Sequence, residues 1–338
     1  MPAPPNRAPS TLASILISIA SELGAEIVLD PGWQYAGQIT FSTGKRAYFR
    51  GPSLDINPHG SSEIAKDKDY AAFFMRRMGF PAVSGETFFS TEWADEIGSS
   101  RDAEAAVIGA RDMGYPLVVK PNSTSQGRGV HVVSCETQFR DAIAFCLKLD
   151  RVVLVQPFVR GRDYRVVVLG SEVISAYQRT PLSIVGDGVS SIAGLLARKQ
   201  EYWLAERRPI KISGDDARVT DCLRRQGRDL SAIPADGERI HLLDVANLST
   251  GGDADDVTGR IDPSIEKLCI DVTREMGLRL CGVDLIIDGD VCGKFDRAHI
   301  LEINSSPGLD NYAMLGPAQW QRVRGLYGKV LKHIERHA

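Results

Sequence analysis

Three oxygen-bearing side chains, Asp284, Glu302 and Asn304, interrupt two short apolar runs near the carboxyl end. The first run reads Gly-Val-Asp-Leu-Ile-Ile-Asp-Gly-Asp from Gly282; the second reads His-Ile-Leu-Glu-Ile-Asn-Ser-Ser-Pro-Gly and ends at Gly308. The Gly/Asp-rich connection between them is a hairpin signal. Side chains alternate along a strand, so Glu302 and Asn304 project from one face. Buried carboxylates are costly without a cation or donors, and three oxygens on rigid strands suit Mg²⁺, which also takes waters and phosphates. A surface hairpin with solvated acids satisfies the same pattern, and spacing alone leaves both readings open.

A second group of chemistry-bearing residues lies upstream. Tyr115 to Val133 reads as a β run ending at Lys120-Pro121, a turn Asn122-Ser-Thr-Ser-Gln-Gly-Arg-Gly129, and a second β run. Small residues let backbone N–H groups gather round an anion. The turn is not a Walker loop, because no Gly-Lys-Ser/Thr and no helix follow, and a strand rather than a helix follows its Gly-x-Gly. A hairpin closing over phosphates, with Lys120 aimed back at them, stands beside a plain flexible hairpin. Asn247 to Gly252 is another small-residue turn of this kind. Lys66 and Lys68 read on their own as solvated charges, and His131 and His241 as packing residues. No Gly-x-Ser-x-Gly elbow occurs, and no histidine pairs obviously with a Cys or Ser nucleophile.

Several elements must position these residues. Ser10 caps a helix with Leu12, Ile15, Leu16 and Ile19 on one face. Glu26–Leu29 and Gln38–Ser42 read as strands about Pro31-Gly32. A helix is expected from Ser61 to Met78, closed by Gly79 and Pro81, then others over 102–113 and 136–149. Val152 to Val159 forms a strand in which Pro157 lacks an N–H but keeps its C=O. Residues 164–169 and 172–178 form a hairpin about Gly170-Ser171. Residues from about 195 to 240 are basic, with Arg198, Lys199, Arg207, Arg208, Lys211, Arg218, Arg224, Arg225 and Arg228, and read chiefly as a solvated helical face. Asp262-Pro263 opens the best-marked helix, with Gly277 past its end. A closing helix spans 317–333.

The totals exclude several classes. The 338 residues include 43% hydrophobic and 25% charged ones, with a net charge of −3, so there is no basic footprint for nucleic acid. The apolar run from Leu12 to Ala20 is too short to span a bilayer. Six scattered cysteines without a Cys-x-x-Cys pair argue against zinc and a disulfide framework and fit a reducing cytoplasm.

Taken together, these motifs resemble the ATP-grasp superfamily, nearest to the ligase domain of cyanophycin synthetase and of fused glutathione synthetases. The resemblance runs from about Ser61 to Gly308 and includes Arg225-Gln-Gly227, Ala246-Asn-Leu-Ser-Thr-Gly-Gly252 and Asp256-Val-Thr258. The order of motifs is specific, whereas no single one is. It implies an α+β fold with two lobes, each with an antiparallel sheet, clamping ATP. Residues 1–66 would form a smaller preceding α/β region, 67–155 the lid-bearing lobe, and 156–338 the second lobe with a basic insertion at about 195–245.

By the same resemblance, Lys68 and Lys120 bind phosphates and Ser125 to Gly129, with Gly127, form the lid. Gln156, Pro157, Phe158 and Val159 form the hinge, where the Pro157 C=O accepts from adenine and the Val159 N–H donates to it. Gln156-Pro157 departs from the usual acidic pair, which backbone recognition tolerates. Asp163 holds the ribose, and Arg179 faces the γ-phosphate or acyl phosphate. Asp284, Glu302 and Asn304 match the family's Mg²⁺ ligands, with Mn²⁺ as a substitute. Arg165, the turn with Asn247, Ser249 and Gly251, and the loop with Ser305, Ser306 and Gly308 line the substrate pocket.

The implied reaction joins a carboxylate to an amine through an acyl phosphate, with amino-acid or small-peptide substrates. A kinase acting on a non-carboxylate acceptor and a non-catalytic nucleotide-binding regulator are the alternatives. The resemblance further implies a cytoplasmic homo-oligomer, a dimer or tetramer, with neither nucleic-acid nor membrane partners.

Overall fold

Ser10 caps the first helix as its sequence implies: the hydroxyl accepts the Ala13 amide, and α1 (Thr11–Ala20) buries Leu12, Ile15, Leu16 and Ile19. The computed structural model describes residues 8–124, 127–206, 210 and 212–337. After α1 comes an antiparallel meander of β1 (Glu26–Leu29), β2 (Ala36–Thr40), β3 (Arg46–Arg50) and β4 (Ser53–Leu54). The expected 38–42 strand starts two residues earlier, and β3 and β4 went unread. Charged and apolar residues alternate along β3, so Ala47 and Phe49 pack inward while Arg46, Tyr48 and Arg50 face solvent.

The helix expected from Ser61 to Met78 is two helices, α2 (His59–Lys66) and α3 (Lys68–Arg77). Asp67 between them is extended, and its carboxylate accepts the Asp69 and Tyr70 amides. This side-chain cap competes with the continuing helix and wins, restarting it at Lys68. Ala71 and Met75 of α3 pack in the core beneath the largest sheet.

Next come β5 (Glu86–Phe89), α4 (Thr91–Ile97), α5 (Ala103–Met113), β6 (Leu117–Pro121), β7 (His131–Val133), α6 (Glu136–Leu149) and β8 (Val152–Pro157). Their four-stranded sheet has the order β5-β8-β6-β7 and rests on α5 and α6 through Val107, Phe139, Ile143 and Cys146. The Asp102 cap and Gly114 stop bound α5 as expected, whereas β5 and α4 carry no periodicity long enough to read.

The remaining chain builds the largest sheet. It contains β9 (Arg162–Leu169), β10 (Glu172–Thr180), β11 (Ser183–Val185), α7 (Ile192–Ala205), α8 (Ala217–Arg225), β12 (Arg239–His241), β13 (Asp253–Asp256), α9 (Pro263–Glu275), β14 (Leu280–Gly289), β15 (Phe295–Asn304), α10 (Asp310–Ala313) and α11 (Pro317–His337). Five antiparallel strands pair in the order β13-β10-β9-β14-β15. One face packs on α9, with Val166, Val168, Val283 and Leu285 inward. The other packs at one end on α1 and α11 through Val167, Leu169, Tyr177 and Leu280. The basic insertion has its own small core round the buried Trp203, closed by the β11–β12 pair. Arg207, Arg208 and Lys211 of that stretch lie outside the described residues.

Candidate active site

Strand alternation explains why charge gathers at the far end of the second sheet face. In β9, Val167 and Leu169 join the apolar core under α1, so Asp163 and Arg165, at the same parity, continue that face. Register places Asp284 of β14 opposite both Arg165 and Glu302, and Arg179 of β10 opposite Asp163. A bulge just after Asp284 shifts the pairing there. The four strands thus deliver two arginines and three carboxylates to one patch.

The patch is tightly paired. Arg165 holds Asp284 with both fork nitrogens, Nη2 donating to Oδ2 at 2.7 Å. Arg179 donates Nε to Asp163 Oδ1 at 2.7 Å and reaches Asp284 Oδ2 at 3.2 Å. Gly282 is required here, because a Cβ would meet Pro307 at 2.9 Å and the Arg165 side chain at 3.2 Å. Burial pushes the Asp163 carboxyl up to about 6 against the pull of Arg179. Burial acts likewise on Asp284, but Arg165 and Arg179 outweigh it and hold that carboxyl below its ordinary value.

Two lysines face the patch from other elements. The break at Asp67 sets Lys68 at the head of α3, where its ammonium donates to the Asn122 and Thr124 carbonyls at 3.1 and 2.6 Å and stands 4.0 Å from Glu302. Lys120 on β6 is buried without a hydrogen-bond partner among the described residues. Burial pushes its amine down to about 8, with Glu302 opposing that shift and Lys68 reinforcing it. Four cations therefore surround three carboxylates, which leaves the site able to accept further negative charge.

The connecting segment holds the two sheets in reach of each other. Val83 donates to the Ile300 carbonyl at 3.0 Å, and the buried Gln156 amide donates to the Val83 carbonyl at 3.1 Å. Gln156 is thereby a strut. At the hinge the Phe158 amide donates to the Pro116 carbonyl at 3.1 Å, while the Val159 amide has no partner among the described residues.

The sequence-derived site residues do not all meet. Lys68, Lys120, Arg165, Arg179, Asp163, Asp284 and Glu302 converge. Asp163, expected at the ribose, lies inside the patch and accepts from Arg179. Asn304 follows Glu302 on the same face, and its Nδ2 is buried without a hydrogen-bond partner among the described residues. Of the lid, Gly127 and Gly129 are described, both at positive φ, 68° and 76°, while Ser125 lies outside the described residues. A Cβ at Gly129 would meet Leu149 and Pro121 at 2.9 Å.

In the Asn247 turn, the Asn247 carboxamide caps Ser249, whereas Gly251 is buried under the Trp203 ring and serves packing. Ser305 is buried and bonds the Ser62 carbonyl, while Ser306 reaches the Ser53 hydroxyl at 3.2 Å and Gly308 borders open space. A cleft of about 1200 Å³ runs from Ser123 and Thr124 past Ser249 and Thr250 to Arg218, Arg224 and Arg225 of α8. The basic face is thus not wholly solvated. Arg218 and Arg225 line the cleft, each paired with an aspartate, Asp216 and Asp244.

Sequence reasoning missed Asn57. Its carboxamide donates to the Leu280 and Ser305 carbonyls at 2.8 and 2.7 Å and accepts from the Arg279 and Leu280 amides at 2.7 and 3.0 Å. It ties the N-terminal segment to the root of β14 and the end of β15. Among the described residues no group of three or more His, Cys, Asp and Glu side chains could hold a metal. Asp284, Glu302 and the Asn304 amide oxygen are donors of the hard kind that Mg²⁺ takes.

Residues 74–187 match the D-ala D-ala ligase C-terminus family, and residues 244–317 the RimK-like ATP-grasp domain. The chain is 34% identical over 183 residues to the glutathione biosynthesis bifunctional protein of Mannheimia succiniciproducens, covering 52% of this chain and 24% of that one. It is 31% identical over 248 residues to the Streptococcus agalactiae protein of that name, covering 70% of this chain and 33% of the relative. A crystal structure of a bifunctional glutathione synthetase from Pasteurella multocida superposes with a TM-score of 0.59 at 25% identity, over 94% of this chain and 44% of that one. The chain thus spans about a quarter to a third of the length of these curated relatives.

Proposed function

The chain carries an ATP-grasp domain homologous to that of the bifunctional glutathione synthetases, and from that premise we propose that it is an ATP-dependent carboxylate–amine ligase. A carboxylate attacks the γ-phosphorus of ATP, giving an acyl phosphate and ADP. An amine then displaces phosphate and leaves an amide bond. The observation that carries this reading is the convergence of Lys68, Lys120, Arg165 and Arg179 on the Asp284–Glu302 pair, between two antiparallel sheets.

Each residue has a task suited to its surroundings. Lys68, fixed at a helix head, and Lys120, without a hydrogen-bond partner among the described residues, neutralise phosphate oxygens. Arg179 turns from Asp163 toward the transferred phosphoryl group, where charge accumulates, and Arg165 orients Asp284. The Val159 amide, without a partner among the described residues, and the exposed hinge suit backbone recognition of adenine. Asp284, Glu302 and Asn304 would hold Mg²⁺, which supplies charge neutralisation across the phosphates when bound. Gly127 and Gly129 give the lid the backbone freedom to close and exclude water from a hydrolysable acyl phosphate.

The jaws are residues 67–155 and 156–338, with α3 reaching from the first into the core of the second, preceded by residues 1–66. No helix is long and apolar enough to cross a membrane among the described residues. The described cysteines are all free, which suits a reducing cytoplasmic setting. The substrates are amino acids or small peptides, and the working form is a homo-oligomer.

The test is ADP release across a panel of amino acids and dipeptides, with hydroxylamine as amine and trap. Acid-dependent ADP matched by hydroxamate is expected. Phosphate recovered on an acceptor hydroxyl, with no hydroxamate, would make the enzyme a kinase and overturn the ligase reading.

A further inference from the structure

Large apolar side chains scattered singly over a surface are ordinary, whereas a contiguous stripe of them marks a contact. Helix α3 carries such a stripe. Tyr70, Phe73, Phe74 and Met78 are 57%, 50%, 41% and 40% exposed and follow the i, i+3, i+4, i+8 spacing of one helix face. Among the described residues no other helix leaves more than two large apolar side chains exposed. The opposite face of α3 already does its packing: Ala71, Ala72 and Met75 are buried there, and Lys68 on that side reaches the site.

Charge of opposite sign bounds the stripe at its two ends. Asp67 and Asp69 open α3, and Arg76 and Arg77 close it. Arg77 is exposed and has no hydrogen-bond or ion-pair partner among the described residues. The Phe73 and Phe74 rings meet edge to face, with centroids 5.2 Å apart and planes at 79°. Such a helix is complementary to itself when turned about a two-fold axis between Phe73 and Phe74. Antiparallel pairing sets Phe73 against the partner's Phe74 and Tyr70 against the partner's Arg77, and lays each acidic end beside a basic one. The two helix dipoles oppose as well. Acids at one end do not suit an anionic membrane surface.

We propose that α3 is the two-fold interface of a homodimer, packing antiparallel on the same helix of a second copy through Tyr70, Phe73, Phe74 and Met78. The second copy then lies behind the helix whose head carries Lys68, on the side away from the site. The homo-oligomer put forward with the ligase reading thereby acquires its contact surface. The dimer rests on that oligomeric part of the reading and not on its chemistry.

Sedimentation velocity of the full chain across the micromolar range tests it. A species of twice the chain mass is expected for the wild type. Phe73→Lys and Phe74→Glu should each raise the dissociation constant about thirtyfold or more, the effect of losing an aromatic anchor at the centre of an interface. Arg77→Glu changes only an exposed charge and should weaken the dimer about tenfold. Mixed in equal amounts, the Phe73→Lys and Phe74→Glu chains should recover the dimer, because antiparallel pairing brings the introduced ammonium to the introduced carboxylate. That recovery also shows that both chains fold. A wild-type chain that stays monomeric overturns the proposal. An oligomer that persists unchanged in all three variants overturns it too, and leaves the homo-oligomer standing on another surface. Chains that dissociate singly and do not recombine, with Arg77→Glu still dimeric, rule out the antiparallel contact. ADP release measured on the same samples decides the ligase reading separately.

Discussion

The face of the five-stranded sheet that meets α1 and α11 changes character along its length. At one end Val167, Leu169, Tyr177 and Leu280 close an apolar core; at the other, on the same strands, stand Asp163, Arg165, Arg179 and Asp284. Burial barely differs: Val167 is 0% exposed and Asp284 2%. The physics differs completely. Burying an aliphatic side chain stabilises by roughly 1.5–3 kcal/mol on its own. A buried carboxylate contributes nothing until its charge is answered, and removing its partner costs more than the pair adds. One end holds the sheet together, while the other is held in place by the sheet. Lys120 is buried without a hydrogen-bond partner among the described residues, so the second end keeps a donor that Glu302 answers only at a distance.

The largest effect should come from the charged end with no change in the fold. Glu302 is partly exposed and touches Lys68 only at 4.0 Å. Glu302→Gln should lower kcat by about 10²–10³-fold, the usual loss when a transition-state charge contact is removed. Its urea midpoint should match wild type. Turnover within a few-fold of wild type would take Glu302 out of the site.

Next is a matched pair of truncations across the sheet face. Asp284→Ala leaves the buried Arg165 guanidinium unanswered and takes from Arg179 one of its two carboxylates, and should destabilise by about 3–5 kcal/mol while abolishing turnover. Leu280→Ala should destabilise by about 2–5 kcal/mol through lost transfer and a cavity, with activity per folded molecule retained. Urea unfolding of both, read beside kcat, separates the two ends. If Leu280→Ala lost activity in step with Asp284→Ala, the division would be wrong.

Lys120 gives a pH-dependent version of the same contrast. Its amine titrates at about 8 in the fold because burial disfavours the ammonium, against 10.5 as the ordinary value. Between those pH values the unfolded chain binds more protons, so stability rises with pH across that window. The gain is on the order of 3 kcal/mol, and Lys120→Met should lack it. If Lys120 meets phosphate as proposed, nucleotide affinity should fall over the same rise, as the ammonium is lost. Melting curves from pH 7 to 10.5 that coincide in shape for the two proteins would count against a buried, unpaired Lys120.

Much of this division was legible in the sequence, for physical reasons that also mark where legibility ended. Asp284, Glu302 and Asn304 stood out because polar groups in an apolar strand demand an explanation, and Asp262-Pro263 because capping chemistry is local. The restart at Lys68 was hidden, since the 61–78 pattern is helical on both sides of Asp67 and only the carboxylate's choice of amides breaks it. The pairing of Arg165 and Arg179 with Asp284 depends on strand register, which no local signal fixes. Asn57 was invisible because its partners lie more than 220 residues away.

The smallest effect tests where the two ends meet. Tyr312 is buried with its ring stacked on Tyr177, centroids 4.8 Å apart and planes 7° from parallel. Tyr177 sits two residues before Arg179 on β10, and so at the last apolar position before the charged patch. The Tyr312 hydroxyl donates to Asp256 at 2.6 Å, but Asp256 also pairs with Arg322 and accepts the Thr258 amide. Tyr312→Phe keeps the stack and leaves that carboxylate answered. It should therefore cost about 0.5–1.5 kcal/mol in urea unfolding and leave kcat within a factor of two. A kcat loss with unchanged stability would mean that the charged end extends past Tyr177, and that the Tyr312 hydroxyl, through Asp256, helps to position β10 and with it Arg179.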